Sequence, residues 1–155
     1  MIMLDVYSTI LVPVDGSKQS ERAFKKALAI AKRNSAKLVL VHMVDPAFVQ
    51  ELDHIGGRYH DQLMTNSMTR GKKILDELEQ IAEADGHRDI TKVIRQGIPK
   101  VEIAKEITVE FNIDLIVMGA TGRNAVEKFL VGSTTEYVLR HASCDVLIVR
   151  DGPFV

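Results

Sequence analysis

Gly119, Gly122, Gly132 and Ser133, in the pattern Gly-x2-Gly-x9-Gly-Ser, are the residues whose types and spacing best suit chemistry. Glycine reaches positive φ and lets a ligand approach main-chain N–H groups that a Cβ would screen. Consecutive N–H groups in a glycine turn form a concave anion site. The free N–H groups that open a helix, aided by its dipole, form another. Two such sites folded together suit a polyphosphate. Each feature also has a plain structural account. Glycines punctuate strand–helix turns for geometric reasons alone. Ser133 and Glu136 spell Ser-x-x-Glu, a capping box that stabilises a helix without any ligand. Arg123 is either a cation for phosphate oxygens or a solvated surface arginine. Thr134 adds a hydroxyl or a backbone contact. The residues by themselves leave these readings open.

Such a motif needs a strand before it and a helix after it. The apolar run Leu115–Met118 reads as a strand buried on both faces, stopping at Gly119. Thr134–Ala142 reads as the helix. Upstream, Thr9–Val14 reads as a central parallel strand, with Pro13 at its end because proline cannot donate to a ladder. Asp15-Gly16-Ser17 turns into a helix with Ser17 as N-cap. That helix presents Phe24, Ala27, Leu28 and Ala31 on one face and runs to about Asn34. Asp15 is either a turn acid that bonds backbone N–H groups or a polar contact to a ligand at the strand end.

Lys37–Val44 is the second strand, with His42 as a packed or hydrogen-bonded structural histidine. Asp45 to about Asp61 reads as a long loop with Pro46 and the pair Gly56-Gly57. Its Asp53, His54, His60 and Asp61 fit no metal motif. Met64, Met68, Leu75, Leu78 and Ala82 define a helix face, interrupted around Gly71, with the methionines as core filler. Ala84-Asp85-Gly86 ends that helix. Thr91–Gln96 is polar enough for a sheet edge. Pro99 suits a first helical turn, followed by the inner face Ile103, Ala104, Ile107 and Phe111. Asp145–Val149 is the last strand, and Cys144 before it reads as a small buried hydrophobe.

Strict alternation of strands and helices demands a parallel sheet with right-handed crossovers and helices on both faces, an α/β fold. Ligands bind such sheets at the carboxyl ends of the strands flanking the topological switch point. The 155 residues suffice for one domain spanning 1–155 with a substantial core. Lys plus Arg number 20 against 21 Asp plus Glu, so no basic excess points to nucleic acid or an anionic membrane. No apolar run approaches membrane-spanning length. A single cysteine permits no intramolecular disulfide and fits a reducing cytoplasm. The start, Met1-Ile2-Met3-Leu4-Asp5, does not read as a signal peptide.

The glycine–serine spacing, together with Val12-Pro13-Val14-Asp15-Gly16-Ser17, resembles the universal stress protein family, specifically its ATP-binding branch. The resemblance runs from about Ser8 to Arg150. It implies a Rossmann-like open five-stranded sheet of order 3-2-1-4-5, with the switch between the strands ending in Asp15 and Gly119. It implies ATP and Mg2+ as ligands. Asp15 would lie beside the ribose and the metal-bound phosphates, touching the metal directly or through an intermediary. The backbone of Val41 would bond adenine, and Pro13, Met118, Gly119, Gly122, Arg123, Gly132, Ser133 and Thr134 would complete the nucleotide site. It further implies a homodimer that pairs Asp145–Val149 with its two-fold copy. The expected function is a cytoplasmic, nucleotide-dependent stress-response or signalling module. No Gly-x4-Gly-Lys-Ser/Thr element and no placed base are present, so hydrolysis or nucleotidyl transfer, if it occurs, should be slow. A nucleotide-free dimeric scaffold is a third reading, against which the glycine motif argues.

Overall fold

A computed structural model describes residues 6–47, 49–51, 60–121 and 131–150. Its strands are β1 (Thr9–Pro13), β2 (Lys37–Val44), β3 (Ile90–Gln96), β4 (Leu115–Gly119) and β5 (Asp145–Val149). They form one parallel sheet in the order β3-β2-β1-β4-β5, the order that the family resemblance implied. Helices α1 (Lys18–Asn34) and α2 (His60–Ala84) pack on one face. The other face carries α3 (Pro99–Val101), a π-helical segment (Glu102–Glu106) and α4 (Ile107–Glu110) in continuous succession, then α5 (Ser133–His141).

The two cores follow from the period of two along each strand. Ile10, Val12, Leu38, Leu40, Leu115 and Val117 face α1 and α2. Leu11, Val39, Val41, Ile116 and Met118 face the opposite layer. Because both faces are covered, the central strands are apolar throughout. Each such side chain contributes on the order of 1.5–3 kcal/mol by leaving water. The edge strand β3 is mixed, and ion pairs hold its polar residues. Lys92 Nζ reaches Asp76 Oδ1 at 2.8 Å and Glu79 Oε1 at 2.9 Å on α2. Arg95 reaches Glu110 Oε2 at 2.6 Å and Glu102 Oε2 at 3.5 Å on the other face.

Four details differ from the sequence reading. The stretch read as a loop ends earlier, since α2 already contains Asp61, and residues 46–47 and 49–51 are helical. Met68 is not core filler but 40% exposed, where its sulfur accepts a long contact from Gln96 Nε2. The interruption at Gly71 is a close approach: a Cβ there would lie 2.4 Å from His42 Cδ2. The π-helical segment had no signature in the apolar spacing. Its widened turn lets the Thr108 hydroxyl donate to the Ile103 carbonyl at 2.8 Å, five residues back.

Candidate functional site

The crevice is built at the carboxyl ends of β1 and β4, neighbours on either side of the switch point. Their pairing is anchored at the opposite end, where the Asp114 carboxylate accepts the Ser8 and Thr9 N–H groups at 2.8 and 3.1 Å. Leu11 pairs with Ile116, and the same offset sets Asp15 level with Ala120.

At the end of β1 the chain leaves the sheet under tight control. The Val14 N–H donates to the Val41 carbonyl at 2.8 Å, and the Val14 carbonyl accepts from His42 Nδ1 at 2.9 Å. A carbonyl only accepts, so Nδ1 carries the proton. His42 is buried, which bears out its structural reading. Asp15 Oδ1 accepts the Ser17 N–H at 2.9 Å, an Asx turn, while Ser17 Oγ caps α1 by accepting the Ser20 N–H at 3.1 Å. Gly16 holds φ +82°, the left-handed region that favours glycine. The turn-acid account of Asp15 is therefore realised. The same bond fixes its carboxylate at the rim of the crevice, beside half-buried Pro13.

At the end of β4, Met118 and Gly119 are buried. A Cβ on Gly119 would lie 3.0 Å from Gln19 Cβ and 3.2 Å from the Gln19 carbonyl. Glycine here lets the first turn of α1 press against β4, which draws the two strand ends together. The Gly119 carbonyl accepts from Thr135 Oγ1 at 3.0 Å, and the Ala120 carbonyl accepts from the Gly132 N–H at 2.8 Å. Thr135, absent from the sequence-derived set, is the buried pin that docks α5 on the end of β4. A hydroxyl two residues into a motif helix is a weak signal, and only its burial reveals the role.

The capping box does not form. The N-cap of α5 is Gly132, with φ −64° and ψ 158° and no capping side chain. Ser133 is instead the first helical residue and is exposed, with Thr134 half-buried beside it. The Glu136 carboxylate turns to Arg140 at 2.9 Å. The helix thus opens with N–H groups that no cap side chain takes. Gly132 itself has a backbone conformation open to any residue. Among the described residues a Cβ there would meet nothing nearer than 3.6 Å, at Ala120 O and Thr121 Cα. Nothing among the described residues requires glycine at this position.

Val41 lies inside the sheet rather than at the rim. It is fully buried, and its carbonyl is taken by Val14. Main-chain groups alternate sides along a parallel strand: Val41 faces β1, and Val44, which accepts the Gly97 N–H, faces β3. Met43 therefore faces the β1 side again, but β1 pairing has ended at Pro13–Val41. Its main chain points into the space that β1 has left. The sequence reading named Val41 and not Met43; the phase of the ladder is set by where β1 stops. Gly122 and Arg123 lie outside the described residues, as do Asp53 and His54. Among the described residues no three His, Cys, Asp or Glu side chains come together as a metal site.

Known proteins share both the sequence and the shape. A Staphylococcus aureus (strain USA300) protein named as a universal stress protein is 40% identical over 144 residues, covering 93% of this chain and 84% of that protein. The universal stress protein UspA from Lactobacillus plantarum superposes with a TM-score of 0.81 at 35% identity, covering 95% of this chain and all of that one. A universal stress protein crystallised in complex with cAMP superposes with a TM-score of 0.72 at 32% identity, covering 94% and 99% of the two chains. Residues 7–150 match the universal stress protein family as a whole, from the strand before the Asp15 turn to the strand after the glycine–serine helix, and the chain belongs to that family.

Proposed function

We propose that the crevice binds ATP with Mg2+ and that the protein is a nucleotide-dependent stress-response or signalling module. The carrying observation is Gly132. Its conformation and its neighbours among the described residues would admit a side chain, yet a bare backbone sits at the uncapped start of α5. A close main-chain approach by an anion accounts for that choice. The phosphates would lie on the turn after β4 and on the first N–H groups of α5, with Ser133 and Thr134 adding hydroxyls. Gly122 and Arg123 complete this proposed set by sequence. The Met43 main chain, rather than that of Val41, offers adenine a donor and an acceptor. A relative that binds cAMP supports an adenine nucleotide as the ligand class. Mg2+ is commonly held by one or two carboxylates plus substrate phosphates. The described crevice supplies the Asp15 carboxylate, one oxygen of which is engaged by Ser17, so the donor set fits a metal held mainly by phosphate. Bound there, the ion would neutralise phosphate charge.

Calorimetric titration of ATP tests this reading. Gly132→Ala should leave the circular dichroism spectrum and melting temperature unchanged and weaken ATP binding at least about tenfold, the worth of one charge-assisted bond. Ser133→Ala should weaken it without lowering stability, since Ser133 caps nothing. Unchanged affinity in folded Gly132→Ala overturns the placement.

Slow ATP hydrolysis or nucleotidyl transfer is the second reading, favoured only by the Asp15 carboxylate at the phosphate end. The half-buried edge strand β5 supports a homodimer in which it pairs with its copy. A monomer by sedimentation at micromolar concentration would rule that out. No described helix is long and apolar enough to cross a membrane. The lone cysteine fits a reducing, cytoplasmic setting.

A further inference from the structure

We propose that Arg70 of α2 is a further ligand-contacting residue of this crevice and that it selects phosphorylated ligands over nucleosides. The proposal rests on the nucleotide reading above. Its basis is the way α2 is seated. Gly71 lies so close to the His42 ring that a Cβ would be 2.4 Å from Cδ2, and His42 is itself tied to the Val14 carbonyl. The backbone at 70–71 is thereby set against the end of β1. On this seat, Arg70 Nη2 and Ile74 Cδ1 reach over the next turn. They stand 3.4 and 3.1 Å from the position a Gly16 Cβ would take. The guanidinium therefore lies over Asp15-Gly16-Ser17, at the rim where the phosphates are proposed.

Nothing on α2 neutralises it. The residues three and four away are Asn66, Ser67, Lys73 and Ile74. Arg70 makes no ion pair among the described residues, whereas Arg95 and Arg140 are each paired with glutamates. It also lies near the amino end of α1, where the helix dipole is positive and a cation is unfavourable. An anion brought to this rim meets both. A planar guanidinium is well shaped to fork two phosphate oxygens. Its position beside the β1 turn places it at the same rim as the end of β4 and the uncapped start of α5, so they would hold a phosphate chain together.

The test is calorimetric titration of ATP and, separately, adenosine into the full-length wild type, Arg70→Gln and Arg70→Lys. Arg70 is exposed, so the variants should keep the wild-type dichroism spectrum. Arg70→Gln should weaken ATP at least about tenfold and leave adenosine unchanged, with a flatter dependence of ATP affinity on salt. Arg70→Lys should recover part of the loss. Wild-type ATP affinity in Arg70→Gln overturns the role of Arg70 and leaves the nucleotide site standing. Equal losses for ATP and adenosine assign Arg70 a structural role and also overturn it. A wild type that binds neither compound overturns the nucleotide reading, and this proposal with it.

Discussion

Gly71→Ala sets two effects of known sign against each other. In a helix interior, replacing glycine with alanine ordinarily stabilises by roughly 0.5–1 kcal/mol, because the unfolded chain loses freedom. Here the new methyl would lie 2.4 Å from His42 Cδ2, 2.9 Å from Cγ and 3.2 Å from Nε2. Ordinary contact begins near 3.4 Å, so ring or helix must yield by about 1 Å. The ring is poorly free to do so, being buried and bonded to Val14 O at 2.9 Å. Overpacking of this kind costs about 1–3 kcal/mol, and straining the hydrogen bond adds about 1 kcal/mol. The net expectation is a destabilisation of roughly 1–3 kcal/mol. At roughly 2–4 °C per kcal/mol for a chain of this size, the melting temperature should fall by several degrees. Urea denaturation of the four members of a double-mutant cycle with His42→Ala measures it. In the His42→Ala background the ring is gone, and Gly71→Ala should stabilise by about 0.5–1 kcal/mol. A Gly71→Ala protein more stable than wild type, or a cycle with no coupling, would refute the steric argument.

Three further outcomes follow from the same geometry. Burial pushes the Cys144 thiol up to about 11, with Asp145 and then Asp114 adding to it, against an ordinary 9.0. Alkylation at pH 8, followed by mass spectrometry, should thus run about a hundredfold slower than for an unperturbed thiol. Hydrogen bonds from Lys92 first and Lys72 second hold the Asp76 carboxyl below its ordinary 3.8. A lowered folded value stabilises above the unfolded one and is lost as pH falls through the folded one. The difference in melting temperature between wild type and Asp76→Asn should therefore be present at neutral pH and vanish well below pH 3.8; a difference undiminished there contradicts the assignment. Finally, ATP turnover by protein free of contaminating ATPase should stay well under about 1 per second, the low end of typical enzyme rates. Faster, metal-dependent turnover abolished by Asp15→Asn would favour the hydrolase reading instead.

Much of the fold was legible because this sheet is buried on both sides. Lys37–Val44 and Asp145–Val149 match the observed strands end for end, since continuous apolar runs bounded by polar residues admit few other readings. The cap at Ser17 and the strand end at Pro13 follow from local chemistry alone. What escaped depends on relations between elements. Ser133 and Glu136 satisfy the capping-box pattern, but Gly132 takes the N-cap place because its N–H is drawn to Ala120 O. Val41 came from the family resemblance alone, and only the register of β1 against β2 tells that its carbonyl is taken by Val14. Gly71 broke an apolar rhythm without saying what it made room for. The histidine it accommodates is remote in sequence, so no window along α2 contains the answer.

The bond from the Gly132 N–H to Ala120 O has a consequence for how the site can change over evolutionary or engineered time. It joins the residue after β4 to the residue before α5, so strand and helix are registered to each other directly. For a flexible chain between two such fixed ends, doubling the length costs only about 0.6 kcal/mol in closure entropy. Insertions, deletions or wholesale replacement between these ends should leave the sheet and α5 in place. The two joined ends are thus a splice point, across which new recognition sequences can be exchanged while the end of β4 and the start of α5 stay fixed.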